Sequence, residues 1–219
     1  MQAVVRKGFI LCVLLGAGFV LLGWALMPAI NPLGVVAVGF VLAVYGLIGY
    51  FGFPRIHPQI LSLVGLFGLL AGAIFAGEIL LEYVVLPKDN TNWGTIEFGG
   101  VFAVYFLSSL VTAYRYRSVR SGIVTAVANA MLSSVIWLIV VLLMFYLFRG
   151  TYRQERVFLA EGTYVDFANS EMSDFNTFVM EDFLGAGFYH LLLGPIIAAV
   201  LGMIGGITGK TLARFQHKN

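Results

Sequence analysis

The sequence predicts an all-α, polytopic membrane protein with six transmembrane helices, and three observations carry that prediction. Charged residues make up only 11% of the chain and hydrophobic residues 60%, where an ordinary soluble domain has roughly 25% charged residues. Six apolar runs reach the length of about 20 residues that a helix needs to cross a bilayer. Prolines and polar turns fall between those runs, where helices must stop. With 219 residues, the spans use nearly the whole chain, so we expect a single six-helix transmembrane domain over 1–219 and no separate soluble domain.

The first run, 8–28, follows Arg6 and Lys7 and ends at Pro28, Asn31 and Pro32. It is long for a signal-peptide core, so we read it as a retained helix. The second, 33–53, is closed by Pro54 and Pro58, and the third, 59–86, by Pro87, Asp89 and Asn90. The fourth covers 98–114, the fifth 122–148 and the sixth 183–209, with Pro195 near the middle of the last. The single cysteine, Cys12, lies in the first run, which excludes an intrachain disulfide and a cysteine metal cluster.

Lysine and arginine bias sets the expected orientation. With the N-terminus inside, the inner segments hold Arg6, Lys7, Arg55, Arg115, Arg117, Arg120, Lys210, Arg214 and Lys218, nine of the 13 basic residues. Acids fall in the outer segments or within the third span. Both termini are therefore expected in the cytoplasm, in a bacterial inner membrane or plasma membrane. Arg115, Arg117 and Arg120 form an inner basic cluster suited to anionic lipid or to a partner, and equally explained as the positive-inside signal alone. No extended basic face supports nucleic-acid binding.

The longest polar stretch, 149–182, is expected outside. It mixes seven acids with Tyr152, Phe158, Tyr164, Phe167, Phe175 and Phe178, which is too aromatic for a free linker. In its second half Phe175, Phe178, Val179 and Asp182 recur at helical spacing, so we expect a short helix there, lying on the outer interface or capping the bundle.

The third span is unusual because it carries acids, Glu78 and Glu82. Ionisable groups within a bilayer are costly, and they mark functional sites or paired networks. Glu78 and Glu82 are four residues apart and share a helix face. His190 on the sixth span falls at comparable depth, so these three form a candidate polar site, to be weighed against a structural network in which Glu82 reaches the interface and His190 bonds a neighbouring helix. Two acids and one histidine make a poor metal set without a second histidine, and no metal or other cofactor is expected. Asn129, Ser133 and Ser134 read as interhelical hydrogen-bonding groups, and Gly202, Gly205, Gly206 and Gly209 as a close helix crossing, within the chain or with a partner.

No nucleophile elbow, zinc-protease motif, phosphate-binding glycine loop or redox dithiol appears, so no enzyme activity is expected. Two functions fit these features. The first is an accessory or assembly subunit of a larger membrane complex, docking other membrane subunits or a second copy through its glycine faces and outer segment. The second is a small proton-coupled carrier, or a substrate-binding transporter subunit, with an outward-facing Glu/His cavity.

Overall fold

The structure is a computed structural model, and it describes residues 2–85 and 92–215. Pro87, Asp89, Asn90 and Lys218, used above, lie outside the described residues. The helices are α1 (Gln2–Leu26), α2 (Pro32–Leu47), α3 (Pro58–Leu80), α4 (Trp93–Tyr116), α5 (Val119–Phe148), α6 (Tyr152–Glu161), α7 (Thr163–Asn169) and α8 (Phe175–Phe215). A π-helical turn, Ile48–Gly52, and a 3-10 turn, Phe53–Arg55, prolong α2, and a second π turn, Leu81–Val85, prolongs α3. Six of these helices, counted with their extensions, are long and apolar enough to cross a membrane. By length and composition they are compatible with a multi-pass membrane protein.

The boundaries follow from local chemistry. Asn31 caps α2 by accepting from Leu33 N–H at 2.9 Å, with Pro32 at the first helical position, where a missing N–H costs nothing. Ser118 caps α5 through Ser121 N–H. Asp174 accepts from the Thr177 N–H at 2.7 Å and from its hydroxyl, fixing the start of α8 and holding the Asp174 carboxyl below its usual range.

The core is built around α5, the most enclosed span: 61% of its apolar window is buried, against 28% for α1 and for α8. It packs on α3, α4, α8 and α1, while α2 lies against α1 and α8. Small residues allow the close approach. A Cβ on Gly68 or Gly72 of α3 would run into Leu132 or Ile136 of α5. On α8, Gly202 and Gly206 face Ala126 and Val119 of α5, and Gly205 and Gly209 lie against the backbone of Phe106 and Leu110 of α4. The four glycines therefore mark crossings inside the chain.

The helix α8 is 41 residues long, about 62 Å at 1.5 Å per residue, roughly twice the hydrocarbon thickness. Its first turns carry α6 and α7, which fold against them. Phe158, Tyr164 and Phe167 pack on Phe175, with the Tyr164 and Phe175 rings stacked at 4.6 Å. The separate short helix expected over the second half of 149–182 is thus absent. Phe175–Asp182 instead opens α8, because the helical periodicity there runs on unbroken into the sixth span. Two other short helices, α6 and α7, form the cap. The α1–α2 turn joins this end through Asn31 N–H, which donates to Glu181 Oε1 at 2.7 Å.

Charge separates along the bundle. Arg6, Lys7, Arg55, Arg115, Arg117, Arg120, Lys210 and Arg214 lie toward the uncapped end, while the described acids lie in the capped half. The three arginines of the basic cluster are exposed around the α4–α5 turn, where Arg117 closes α4 in the left-handed conformation at φ 53°.

Polar groups within the spans are handled unequally. Tyr105 and Ser133 hydroxyls bond at 2.7 Å between α4 and α5, and Ser134 donates to the His190 carbonyl at 3.0 Å between α5 and α8. Asn129 does not play the interhelical role expected of it: it is fully buried, and neither its Nδ2 nor its Oδ1 has a hydrogen-bond partner.

Candidate functional site

The capped end gathers carboxyl groups from three elements. Glu78 lies in the last regular turn of α3, and Glu82 in the π turn that follows. The π winding takes them out of simple i, i+4 register, so each meets a different partner. Glu78 is hydrogen-bonded to Glu97, which sits four residues into α4, and Glu82 also stands near Glu97. Glu82 is hydrogen-bonded to Glu161, the last residue of α6. A carboxyl–carboxyl hydrogen bond requires a proton on one member, because an ionised carboxylate only accepts.

Glu97 is the most enclosed of these acids. It is only 6% exposed, and its Oε1 is buried with no hydrogen-bond partner. A buried carboxyl oxygen left without a donor is costly, so it marks a place where a proton, a water or a cationic group is accommodated.

The surroundings hold this layer in place. Gly162, at φ 78°, ends α6 in a left-handed conformation that favours glycine, and its N–H bonds the Phe158 carbonyl; this fixes where Glu161 leaves the helix. Arg153 of α6 donates from Nη1 to the Tyr83 carbonyl at 3.1 Å and to the Val84 carbonyl, covering the carbonyl-rich end of α3 with positive charge. The Tyr83 ring, buried beneath the cap, packs against Phe148 at 5.4 Å.

Loss of water and the carboxylates of Glu82, Glu78 and Asp182 push the Glu161 carboxyl up to about 8. Part of the side chain remains open to solvent, which screens the effect and limits the energy at stake. A raised folded-state pKa means that folding binds a proton, so this contribution is complete below the unfolded value of about 4.3 and is lost as pH rises toward the folded one. The thermal midpoint of the purified chain should accordingly fall as pH is raised from about 6 to about 9. In Glu161→Gln the fall should be shallower; equal slopes in the two proteins would show that Glu161 carries no such proton.

His190 does not join the acids. Its ring stacks on Trp137 at 4.0 Å and on Phe98 at 5.8 Å, and Phe75 meets it edge-on at 5.3 Å. It borders a cavity of about 180 Å3 whose lining includes Phe75, Phe98, Phe102, Tyr105 and Tyr189. This cavity lies one layer below the acids along the α3–α4 seam. Phe75 and Phe98 meet across that seam at 6.0 Å, and Glu78 and Glu97 meet across it in the next layer. Sequence reasoning missed Glu97 and Glu161, because both adjoin loops and were counted with the outer acids. The available signal was that Glu97 stands between Ile96 and Phe98, at the apolar start of a span.

Among the described residues, no group of three or more His, Cys, Asp or Glu side chains has metal-ligating geometry. Comparison of the chain with protein-family models, with curated proteins and with solved structures finds no match.

Proposed function

We propose that this protein is a small proton-coupled carrier whose proton site is the Glu78–Glu97 pair, backed by Glu82 and Glu161. The observation that carries the reading is the orphaned, buried Oε1 of Glu97 beside the Glu78 carboxyl. A pair that holds one proton in a poorly solvated seam has two states close in energy, which is what coupling to a proton gradient requires. The capped end faces outward, because the lysines and arginines concentrated at the other end mark it as cytoplasmic. Both termini are then cytoplasmic.

The accessory-subunit reading draws less support from the geometry. The glycines of α8 are used in crossings with α4 and α5, and the aromatic residues of the outer segment pack largely on one another and on α8.

Infrared difference spectra of the reconstituted protein between about pH 6 and about pH 9, a range well above ordinary carboxylate values, test the proton site directly. Wild type should show protonated-carboxyl absorption that bleaches on alkalinisation, and Glu97→Gln should lose one component of it while the Glu161 component persists. If wild type shows no such band, the proton-site reading fails.

A further inference from the structure

The aromatic cavity beside His190 takes no part in holding the proton, and its position gives it a second use. Three successive layers can be followed along the α3–α4 seam. Ile74 lies opposite Gly100, where an added Cβ would stand 3.5 Å from it; Phe75 meets Phe98 in the next; and Glu78 meets Glu97 in the layer nearest the cap. Phe75 and Glu78 are three residues apart on one helix face, about 4.5 Å along the axis, and Glu97 immediately precedes Phe98. The acid pair therefore stands one layer toward the cap from the cavity wall.

The cavity wall is aromatic, with Phe75, Phe98, Phe102, Tyr105 and Tyr189 standing around the edge of His190. Its mouth includes Tyr189 and Leu193 of α8, which are 62% and 44% exposed within a membrane-spanning segment, so it opens sideways toward lipid. Aromatic faces attract an organic cation through their negative quadrupole, most strongly where water is excluded. Carboxylates one layer toward the cap add to that attraction and repel anions. A volume of about 180 Å3 is below the range of roughly 300–1,000 Å3 that holds drug-sized ligands, which selects a small cation.

We infer that the cavity bounded by Phe75, Phe98 and His190, one layer below the Glu78–Glu97 pair, binds a small lipophilic organic cation of the quaternary ammonium class in exchange for the proton of that pair. This rests on the proton-carrier reading and names its substrate class. The exchange balances in charge: with one proton the pair carries one negative charge, and with no proton but one monovalent cation pair and ligand together carry the same. No covalent bond forms or breaks beyond the O–H that releases its proton to solvent. Glu82 in the π turn after α3 and Glu161 on α6 stand around the pair; Arg153 on α6 binds the Tyr83 and Val84 carbonyls beside Glu82, Asp182 on α8 lies near Glu161, and His190 on α8 stands in the cavity wall.

The test uses the purified full chain, with benzyltrimethylammonium as probe and its uncharged isostere, neopentylbenzene, as control. Calorimetry in two buffers of different ionisation heat reads both affinity and protons released. Wild type should bind the cation saturably and release one proton per cation near neutral pH, and the isostere should bind at least about tenfold more weakly, a difference of roughly 1.4 kcal/mol. Glu97→Gln should bind without releasing a proton. Phe75→Leu, which keeps an apolar side chain of similar bulk and leaves the acids in place, should weaken the cation about tenfold while leaving the infrared carboxyl band of wild type intact. Equal binding of cation and isostere, or no saturable cation binding, overturns the inference. If the carboxyl band is present in that same preparation, the proton-carrier reading stands without it; if the band is missing too, both fall.

Discussion

Gly209→Ala should lower the thermal midpoint of the purified protein by roughly 2–12 °C, the range for an overpacked contact of about 1–3 kcal/mol in a chain of this size, whereas Gly185→Ala on the same helix should leave it unchanged or raise it. The contrast comes from what each new methyl group would meet. At Gly209 it would overlap the Leu110 carbonyl oxygen and approach Tyr114 N at 2.9 Å and Leu110 C at 3.0 Å, all backbone atoms of α4 that cannot rotate away. At Gly185 it would meet nothing within 4 Å, and alanine favours a helix over glycine by about 1 kcal/mol. Gly205→Ala should behave like Gly209→Ala, because its methyl would stand 2.5 Å from the Phe106 carbonyl oxygen. Thermal unfolding in one detergent, followed by circular dichroism, checks all three variants. A Gly209→Ala protein as stable as wild type would mean that α4 and α8 do not approach as closely as described.

The second large effect concerns Pro195 inside α8. Pro195 has no N–H, so the carbonyl of Leu191, four residues earlier, loses its helical donor. Tyr45 of α2 supplies one: its hydroxyl donates to the Leu191 carbonyl in a site where the tyrosine is only 5% exposed. Ser134 of α5 does the same for the neighbouring His190 carbonyl at 3.0 Å. Tyr45→Phe should therefore destabilise the protein by about 1–2 kcal/mol, the penalty for a buried acceptor left without a donor. The same substitution in a Pro195→Ala background should cost much less, because an alanine at that position offers its own N–H to the Leu191 carbonyl. A double-mutant cycle measured by chemical or thermal unfolding reads the coupling directly. Additive effects, with Tyr45→Phe costing the same in both backgrounds, would rule out the compensation.

Much of the fold is legible in the chain because membrane spans are written in composition. Runs of apolar residues, the prolines that close them and the arginines at one end identify six helices without any knowledge of their packing. Pro195 is visible as a break in helical hydrogen bonding, but not the identity of Tyr45 as the donor that repairs it, since Tyr45 and Leu191 lie 146 positions apart. Gly202, Gly205, Gly206 and Gly209 announce a close crossing, yet only the packing shows that α4 and α5 occupy it.

The candidate site divides in the same way. Glu78 and Glu82 stand out in sequence because hydrocarbon makes any carboxyl conspicuous, and His190 stands out for the same reason. Their partners depend on packing. The π turn at Leu81–Val85 sends Glu82 toward Glu161, the fold of α6 and α7 over the bundle brings Glu161 down to meet it, and the antiparallel seam of α3 and α4 sets Glu97 opposite Glu78. His190 goes instead to Trp137 and Phe98. Residue order and composition are enough to say which segments enter the membrane and that some of them carry acid, because transfer into hydrocarbon is a property of each residue alone. Which acid meets which follows from the packed helices, because a contact between carboxyl groups acts over a few ångströms between residues that chain order does not place together.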